Sequence, residues 1–574
     1  LIFGKFPNGW YYSHDQATVC QQFKRVAAEW KGRVCETTSF DFRQGSSRSM
    51  RKRFMELARR CGNYVKDLVL MGEYFMPVTS RPRISTNTVV EGLKLMPNLA
   101  VLDLSMCFTG RDITILDAIL EFEHLRDVRV TVAARPKTYP RDYSFNFTEA
   151  AMNTLVSITV KMALHLTIVG WYRDDTGINE LLQRIQARAG NLQSLQVFQV
   201  PVLFSTALCG TTPANISRMS EDCSHSLAFD LMSSSFPFLQ RLVLRHLCLK
   251  FETVLEILKK NPQITQLGAG IDVADMMSPD DGYDAEFIET FSRLENKFTF
   301  LDISCWQTAA PCDVLVKMAA CFKSLQQFSY RFRTHRVCHD SGYLRDGNEH
   351  SAQMLVSACP NLSSLTIGGA IGVPGLRRKD LLCRKHRSCN TVLPENFGEL
   401  ATLGKLSRLR SLSLCRMSLR SEADLESFAS QCPQLECLHL SAINAEHYIP
   451  RLNAVIRKLP NLKALTLDHA NVEQHSFFES LAKLTQLEHF SLRTEETIFD
   501  RTLINFLESS LSPLNFVHIV CVGPAIGLKG LIQRLSASRP NSRLRVKRSL
   551  RKRDGDSAHK GFKQLRWTGL SSSE

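Results

Sequence analysis

Residues 460–467 read PNLKALTL, so that Leu462, Leu465 and Leu467 form the phrase Leu-x-x-Leu-x-Leu behind a Pro-Asn pair. The alternation of Leu465 and Leu467 with other residues is the apolar pattern of a short strand that buries one side. Closely similar phrases, each led in by Pro-Asn or Pro-Gln, begin at three other leucines: Leu99, Leu362 and Leu435.

The starting leucines of these phrases recur at a nearly constant interval. Leu409, Leu435, Leu462, Leu487 and Leu514 follow one another at spacings of 26, 27, 25 and 27 residues. Such a period is typical of leucine-rich repeats, in which each unit contributes one strand and one helix and buries its apolar side only by stacking on its neighbours. We therefore predict an α/β leucine-rich repeat solenoid, a horseshoe of about 14 to 17 units.

Weaker copies of the phrase extend the repeats toward the N-terminus. A further degenerate copy is expected near Ala163, Leu166 and Ile168. The intervals from Leu192 to Leu239 and from Leu362 to Leu409, 47 residues each, predict either one more degenerate unit or a long loop. The remaining upstream copies begin at Val65, Leu125, Leu192, Leu239, Ile264, Phe298 and Leu325.

Helical spacing precedes the strand phrases. Leu425, Phe428 and Ala429 lie on one helix face just before Cys432-Pro433. Because proline disfavours helical backbone in its predecessor, the Cys-Pro-x-Leu phrase predicts a helix end, a turn and a strand in that order. Strand alternation then places the apolar residues inside the solenoid and the residues between them on its concave face.

The composition favours a folded protein of a reducing compartment. The chain is 44% hydrophobic, and its best apolar stretch, residues 155–172, is interrupted by Lys161 and His165, so we predict no membrane span. None of the 18 cysteines forms a Cys-x-x-Cys pair, and we expect packing thiols in the cytoplasm or the nucleus. No signal peptide opens the chain, and because it starts at Leu1 we expect the true N-terminus to precede it.

Positive charge is concentrated at the C-terminus. The net charge is +15, and residues 539–574 carry 11 Lys and Arg against 3 Asp and Glu, which is +8 and leaves +7 for the rest. We predict a disordered basic tail over residues 536–574. It has three readings: a nuclear-import signal, a nucleic-acid contact or a simple solvated tail.

The head of the chain has a different pattern. In residues 17–30, six residues fall on one helical face: Val19, Cys20, Phe23, Val26, Ala27 and Trp30. One interpretation is a capping helix, which every solenoid needs. The other is a resemblance, because Val-Cys-x-x-Phe-x-x-x-Ala followed by Trp is similar to the second half of an F-box, although the Leu-Pro opening of that motif is missing. The phrases at Cys61, Cys359 and Cys432 likewise resemble the cysteine-containing repeats of F-box/leucine-rich-repeat proteins.

This resemblance implies a substrate-recognition subunit of an SCF-type cullin-RING ubiquitin ligase. Residues 1–33 would be the F-box-like module, 34–56 a connector and 57–535 the repeats. The Skp-type adaptor would be bound by apolar residues of the head: Phe3, Phe6, Val19, Cys20, Phe23 and Trp30.

A narrower resemblance concerns residues 261–270, NPQITQLGAG, which look like a stretch of the plant auxin and jasmonate receptor class of F-box proteins. Those receptors hold an inositol polyphosphate on a basic concave floor. An inositol polyphosphate or hormone site is therefore one alternative for this chain. A plain repeat scaffold that serves no ubiquitin ligase is another.

No catalytic motif is found. The chain lacks a Gly-x-x-x-x-Gly-Lys-Ser/Thr loop, a His-Glu-x-x-His pair and a Gly-x-Ser-x-Gly turn, so we predict a binding protein without enzymatic activity or a metal site. Arginine and tryptophan are enriched in binding hot spots, and we expect a protein partner, not a nucleic acid or a membrane. The predicted contact residues of the concave face are Arg241, Arg245, Trp306, Arg331, Arg333, His439 and Arg493.

Overall fold

The structure is a computed structural model. The residues that it describes are 36–42, 47–71, 86–108, 114–133, 149–170, 176–188, 190–199, 235–272, 283–305, 317–332, 351–368, 400–415, 423–441, 452–468, 474–497, 505–507, 513–514, 516–522 and 543–549. The chain forms two compact units, of which the first ends at Ile264 and the second begins at Thr265.

The first unit is a parallel sheet with helices between its strands. Each strand pairs with the next one along the chain, as expected when every repeat stacks on its predecessor. Its strands are β1 (Thr37–Asp41), β2 (Asp67–Met71), β3 (Val101–Phe108), β4 (Asp127–Ala133), β5 (Ala163–Gly170), β6 (Leu192–Gln199) and β7 (Arg241–Lys250). Its helices are α1 (Ser47–Cys61), α2 (Thr86–Leu93), α3 (Thr114–Ile119), α4 (Glu149–Lys161), α5 (Thr176–Ala187) and α6 (Phe251–Lys260).

The second unit repeats this arrangement, again with parallel pairing of consecutive strands. Its strands are β8 (Gln266–Asp272), β9 (Phe300–Cys305), β10 (Gln327–Phe332), β11 (Ser364–Ile367), β12 (Ser411–Cys415), β13 (Cys437–Ser441), β14 (Ala464–Asp468), β15 (His489–Thr497), β16 (Phe516–Val522) and β17 (Arg543–Ser549). Its helices are α7 (Tyr283–Ser292), α8 (Ser351–Ala358), α9 (Asp424–Gln431), α10 (Leu452–Arg457) and α11 (Gln474–Ala482).

The apolar residues of the predicted repeat phrase lie on the strands or just before them, and they are buried. Leu462, Leu465 and Leu467 are fully buried, whereas the residues between them are half-buried or exposed. In register, Leu465 lies between Leu438 on β13 and Phe490 on β15. The α/β leucine-rich repeat solenoid predicted from the sequence is therefore confirmed. The degenerate copy expected near Ala163 is also present, as β5.

The helices end shortly before prolines, as predicted from the sequence. Helix α9 ends at Gln431, two residues before Pro433, and α6 ends at Lys260, two residues before Pro262. The buried side of α9 is formed by the three residues predicted for it: Leu425, Phe428 and Ala429.

Regular structure begins earlier than the predicted start of the repeats at residue 57. The segment 34–56, predicted as a connector, contains β1 and most of α1, and β1 pairs in parallel with β2. The repeat phrase is absent there because β1 is polar at most positions. Phe40 of β1 and Phe42, which directly follows the strand, instead pack on Phe54 of α1.

Regular structure also extends into the predicted basic tail. Residues 543–549 form β17, which pairs with β16 over its whole length. Leu544 and Val546 occupy the register positions opposite Val517 and Ile519. Leu544 and Val546 keep the second and third apolar positions of the phrase, while Asn541, directly after Pro540, stands at the position of the first leucine. Residues 543–549 of the positively charged tail thus form a repeat strand.

The Asn after the turn proline connects neighbouring repeats. The side-chain amide of Asn461 donates to the Pro433 carbonyl of the preceding turn (3.0 Å). Asn98 donates in the same way to the Asn63 carbonyl (2.7 Å). These bonds satisfy backbone carbonyls in turns between repeats, and they explain the recurrence of the Pro-Asn pair.

The cysteines at the helix ends are buried thiols. Cys359 and Cys432 are fully buried, and the Cys359 Sγ lies 3.4 Å from the carbonyl oxygen of Ala319 in the preceding repeat. All six cysteines whose bonding state is described are free. Burial raises the pKa of the Cys359 thiol to about 12 and that of Cys432 to about 11.

We expect a loss of stability at alkaline pH that depends on Cys359. Because the folded-state pKa of its thiol is raised from 9.0 to about 12, the native state holds a proton that the unfolded state releases within this range. The contribution of the thiol is complete below pH 9.0 and is lost as the pH rises toward 12. Urea unfolding across this range should show a steeper decline for the wild type than for Cys359→Ala, and equal slopes would contradict the assignment.

Candidate protein-binding surface

The residues that alternate with the buried strand positions form what we call the open face of each sheet. On β12 to β16 the central open-face positions are Ser413, His439, Thr466, Ser491 and His518, which are neighbours in register. All five side chains are partly accessible. The hydroxyls of this row can donate and accept hydrogen bonds, so this row suits a polar partner.

His439 is held in place by its neighbour. Its Nδ1 lies 3.0 Å from the Ser413 Oγ on the adjacent strand, and the ring is half-buried between Ser413 and Thr466 in register. This hydrogen bond fixes the orientation of the His439 ring relative to the sheet. A fixed imidazole loses little conformational freedom when a partner binds.

Toward the C-terminus the open face becomes aromatic and basic. The ring of Phe516 lies 6.0 Å from that of His489 and 6.2 Å from that of His518. The half-buried Arg493 of β15 lies opposite Asp468 of β14 in register. In β17 the residues paired in register with Phe516, His518 and Val520 are Arg543, Arg545 and Lys547.

The open face of the first unit carries a charged network. Arg129 on β4 lies 3.7 Å from Asp103 on β3 and 3.8 Å from Asp127, measured between nitrogen and carboxylate oxygen. The Nε2 of His165 on β5 lies 3.2 Å from the other oxygen of Asp127. Side-chain exposure of 15% for Asp103 and 26% for His165 shows that this network is partly shielded from water.

Sequence reasoning missed Arg129, Asp127 and His165 as open-face residues, although the signal was present. Asp127 and Arg129 lie between the apolar residues Leu125, Val128 and Val130 of a repeat phrase that had been identified.

A second charged row runs along the edge of the second unit, one residue after the first leucine of each phrase. Lys463 donates to the Glu436 carboxylate at 2.8 Å, and Arg410 lies 3.8 Å from the other oxygen of Glu436. The hydrogen bond to Glu436 is the main cause that raises the pKa of the Lys463 ammonium. The row alternates in sign from repeat to repeat, which favours the observed stacking order over a shifted one.

The predicted contact residues are spread over the repeats. Arg241 is half-buried at the start of β7, and Arg245 lies on the same strand. His439 and Arg493 stand on β13 and β15, with one strand between them, and Arg331 on β10 is farther along the same sheet. These residues therefore belong to extended faces and not to one pocket. Outside the described residues lie Trp306, Arg333 and the whole predicted adaptor-binding set: Phe3, Phe6, Val19, Cys20, Phe23 and Trp30.

Within the described ranges, no group of three or more His, Cys, Asp or Glu side chains is arranged to hold a metal ion. No helix found in those ranges combines the length and the apolarity that a bilayer crossing requires.

The fold and its open faces define a leucine-rich repeat protein. Residues 318–542, less than half of the chain, match the family model described as F-box/LRR-repeat protein 18, LRR. This match supports the F-box/leucine-rich-repeat family for the repeat region, and it contains β10 to β16. A search among curated proteins finds no match.

The solved structures that resemble this chain have low sequence identity to it and low TM-scores. The TLR13–ssRNA13 complex is 12% identical with a TM-score of 0.35, and the alignment covers 90% of this chain and 66% of that chain. The mouse RP105/MD-1 complex is 13% identical with a TM-score of 0.32, covering 82% and 73%. The Rad7 and Elc1 complex in yeast is 12% identical with a TM-score of 0.38, covering 88% and 93%. These likenesses are too distant to indicate a partner or an activity.

Proposed function

We propose that this protein is the substrate-recognition subunit of an SCF-type cullin-RING ubiquitin ligase. The single observation that carries the proposal is the match of residues 318–542 to the repeats of F-box/LRR-repeat protein 18. The F-box-like pattern around Phe23 and Trp30 supplies the second half of the argument, because it would recruit the Skp-type adaptor. The chain itself would catalyse no reaction, and it would act in the cytoplasm, the nucleus or both.

The substrate would be a protein bound on the open face of the repeats. The second unit supports this assignment with partly accessible hydroxyl-bearing residues, such as Thr466 and Ser491, and with aromatic and basic residues around Phe516 and Arg493. Arginine and aromatic side chains are the residues that most often carry binding free energy in protein interfaces. Besides His439 and Arg493, the proposed substrate contacts are Arg241, Arg245, Trp306, Arg331 and Arg333.

We expect stoichiometric binding to a purified Skp adaptor. The protein, preceded by whatever residues its transcript encodes before Leu1, should capture the adaptor in a pull-down, and the double variant Phe23→Asp, Trp30→Ala should not. An aspartate in the apolar docking helix would have to be buried against the adaptor without a partner, which costs several kcal/mol and reduces the affinity by a factor of about a thousand or more.

A matched control is Phe238→Asp. Phe238 is 47% exposed in the turn before β7, so this change introduces the same charge at an accessible aromatic outside the head. Adaptor binding that survives Phe238→Asp and is lost in the double variant would support the F-box assignment. Absence of binding by the intact protein would refute the ligase proposal and leave a repeat scaffold. A large, salt-dependent thermal stabilisation by inositol hexakisphosphate would instead favour the small-molecule receptor alternative.

A further inference from the structure

Helix α1 carries a strongly basic face that the proposed function does not use. Its buried side consists of Met50, Phe54, Ala58 and Cys61, which recur every three or four residues. The opposite side carries Arg48, Arg51, Lys52 and Arg59, also at helical spacing. The apolar side of the helix is buried in the core of the first unit, whereas the basic side is exposed.

This basic side lines an open groove of about 630 Å³ between α1 and α2. We call it the α1 groove, and its lining residues are Arg48, Ser49, Arg51, Lys52, Met55, Arg59 and Glu91. Four cations thus face one carboxylate. Glu91 of α2 lies 3.7 Å from Arg51, and both side chains are more than half exposed. Within the described part of the chain, no ion pair involves Arg48, Lys52 or Arg59.

The shape of the groove indicates an elongated ligand. From Arg48 to Arg59 the helix advances roughly 16 Å, which is about the length of five residues of extended peptide. A single phosphate or another compact anion would meet only part of this row. Met55 lies in the middle of the lining, so the site also offers one apolar contact between its cations.

The composition of the lining favours a peptide over a nucleic acid. Single-stranded nucleic acids are held by aromatic side chains on which bases stack, and this lining contains none. The carboxylate of Glu91 would repel a continuous phosphate backbone, whereas a peptide can place a backbone N–H group beside it. Methionine is an adaptable apolar surface for a partner side chain.

We propose that the α1 groove binds an extended acidic segment of a partner protein, with carboxylates on Arg48, Lys52 and Arg59 and one apolar side chain against Met55. This surface lies on helices α1 and α2 and not on the strands that carry the open face. The inference therefore does not depend on the proposed ligase function. Exposed cations of this kind also increase the rate at which an acidic partner is captured, and the increase declines as salt is added.

The test is fluorescence anisotropy with the full chain and a fluorescein-labelled peptide of glutamates with one central leucine. We expect saturable binding that weakens about tenfold or more in the double variant Lys52→Glu, Arg59→Glu, because two attractive contacts become repulsive. The matched control uses neighbouring positions: Lys52→Glu against Arg53→Glu. Arg53 is also exposed on α1 but does not line the groove, and either change alters the net charge by the same amount.

The proposal is supported if Lys52→Glu weakens binding while Arg53→Glu leaves it nearly unchanged, and if Met55→Ala weakens the leucine-containing peptide more than an all-glutamate peptide. Equal losses in the two single variants would show a general charge effect and would overturn it. So would absence of binding to the peptide, or tighter binding to a polyadenylate oligonucleotide than to the peptide. Unchanged thermal unfolding of each variant confirms that the loss is not due to misfolding.

Discussion

Replacing Leu465 by alanine is expected to lower the free energy of unfolding of the second unit by about 3 to 5 kcal/mol. Leu465 is fully buried at the centre of β14, in register between Leu438 and Phe490. The truncation removes apolar contacts with both neighbouring repeats and leaves a cavity that the rigid strands cannot close. Urea unfolding followed by circular dichroism measures the loss.

The appropriate control is Thr466→Ala on the same strand. Thr466 occupies the open face between His439 and Ser491, so its truncation should change stability by no more than about 0.5 kcal/mol. In a solenoid each repeat is stabilised mainly by its neighbours. We therefore also expect Leu465→Ala to broaden the unfolding transition. Similar losses for the two variants would mean that the alternation of buried and open positions has been assigned incorrectly.

The repeat phrase was sufficient to predict the strands because it reports a single physical requirement. Each unit must bury three apolar side chains at fixed positions, and residues such as Leu462, Leu465 and Leu467 have almost no freedom to change. The period then gives the parallel register directly. Even the degenerate strand β5 follows from this rule, since Leu164, Leu166 and Ile168 keep the alternation.

The ends of the array escaped prediction for two different reasons. At the N-terminal end, Phe40 of β1 and the following Phe42 pack against α1, and β1 has no leucine phrase to recognise. At the C-terminal end, the positive charges of residues 543–549 suggested a solvated tail. Strand pairing needs only backbone groups and alternate apolar residues, and Leu544 and Val546 provide the latter.

The candidate surfaces could be predicted less completely than the fold. Sequence alternation places His439 and Arg493 on the open face, but it does not show that Ser413 bonds the His439 ring. It also cannot pair Arg129 with Asp103 on another strand, because that contact depends on the register between repeats. The plant-receptor-like stretch that begins at Asn261 illustrates a third difficulty, because a residue of a family-like motif can have a structural role that the sequence does not show.

Asn261 has a clear structural role. It is buried after the end of α6, where its Oδ1 accepts a hydrogen bond from the Phe236 backbone N–H (2.8 Å) and its Nδ2 donates to the Ile257 carbonyl (2.9 Å). These bonds satisfy buried backbone groups of the turn and the helix end. The asparagine that begins that stretch is thus explained by the fold.

Replacing Phe54 by alanine is expected to destabilise the first unit by about 3 to 5 kcal/mol. The Phe54 ring is fully buried, with its centroid 5.2 Å from that of Phe40 and 5.4 Å from that of Phe42, in edge-on contacts. This cluster is what joins α1 to β1, so its loss should expose both elements together. Hydrogen exchange of the β1 amides and thermal unfolding of the full chain would measure the effect.

A second substitution separates this contact from a general loss of packing. Gly92 of α2 lies against the Phe54 ring, and an added Cβ at this position would overlap the ring atoms. In the wild type, Gly92→Ala should therefore be destabilising by about 1 to 3 kcal/mol. In the Phe54→Ala background the ring is absent, and the same change should be neutral or stabilising, because the methyl group enters the vacated space and alanine favours a helix over glycine by roughly 1 kcal/mol. Additive effects of the two substitutions would contradict the contact, since residues that share no space do not couple.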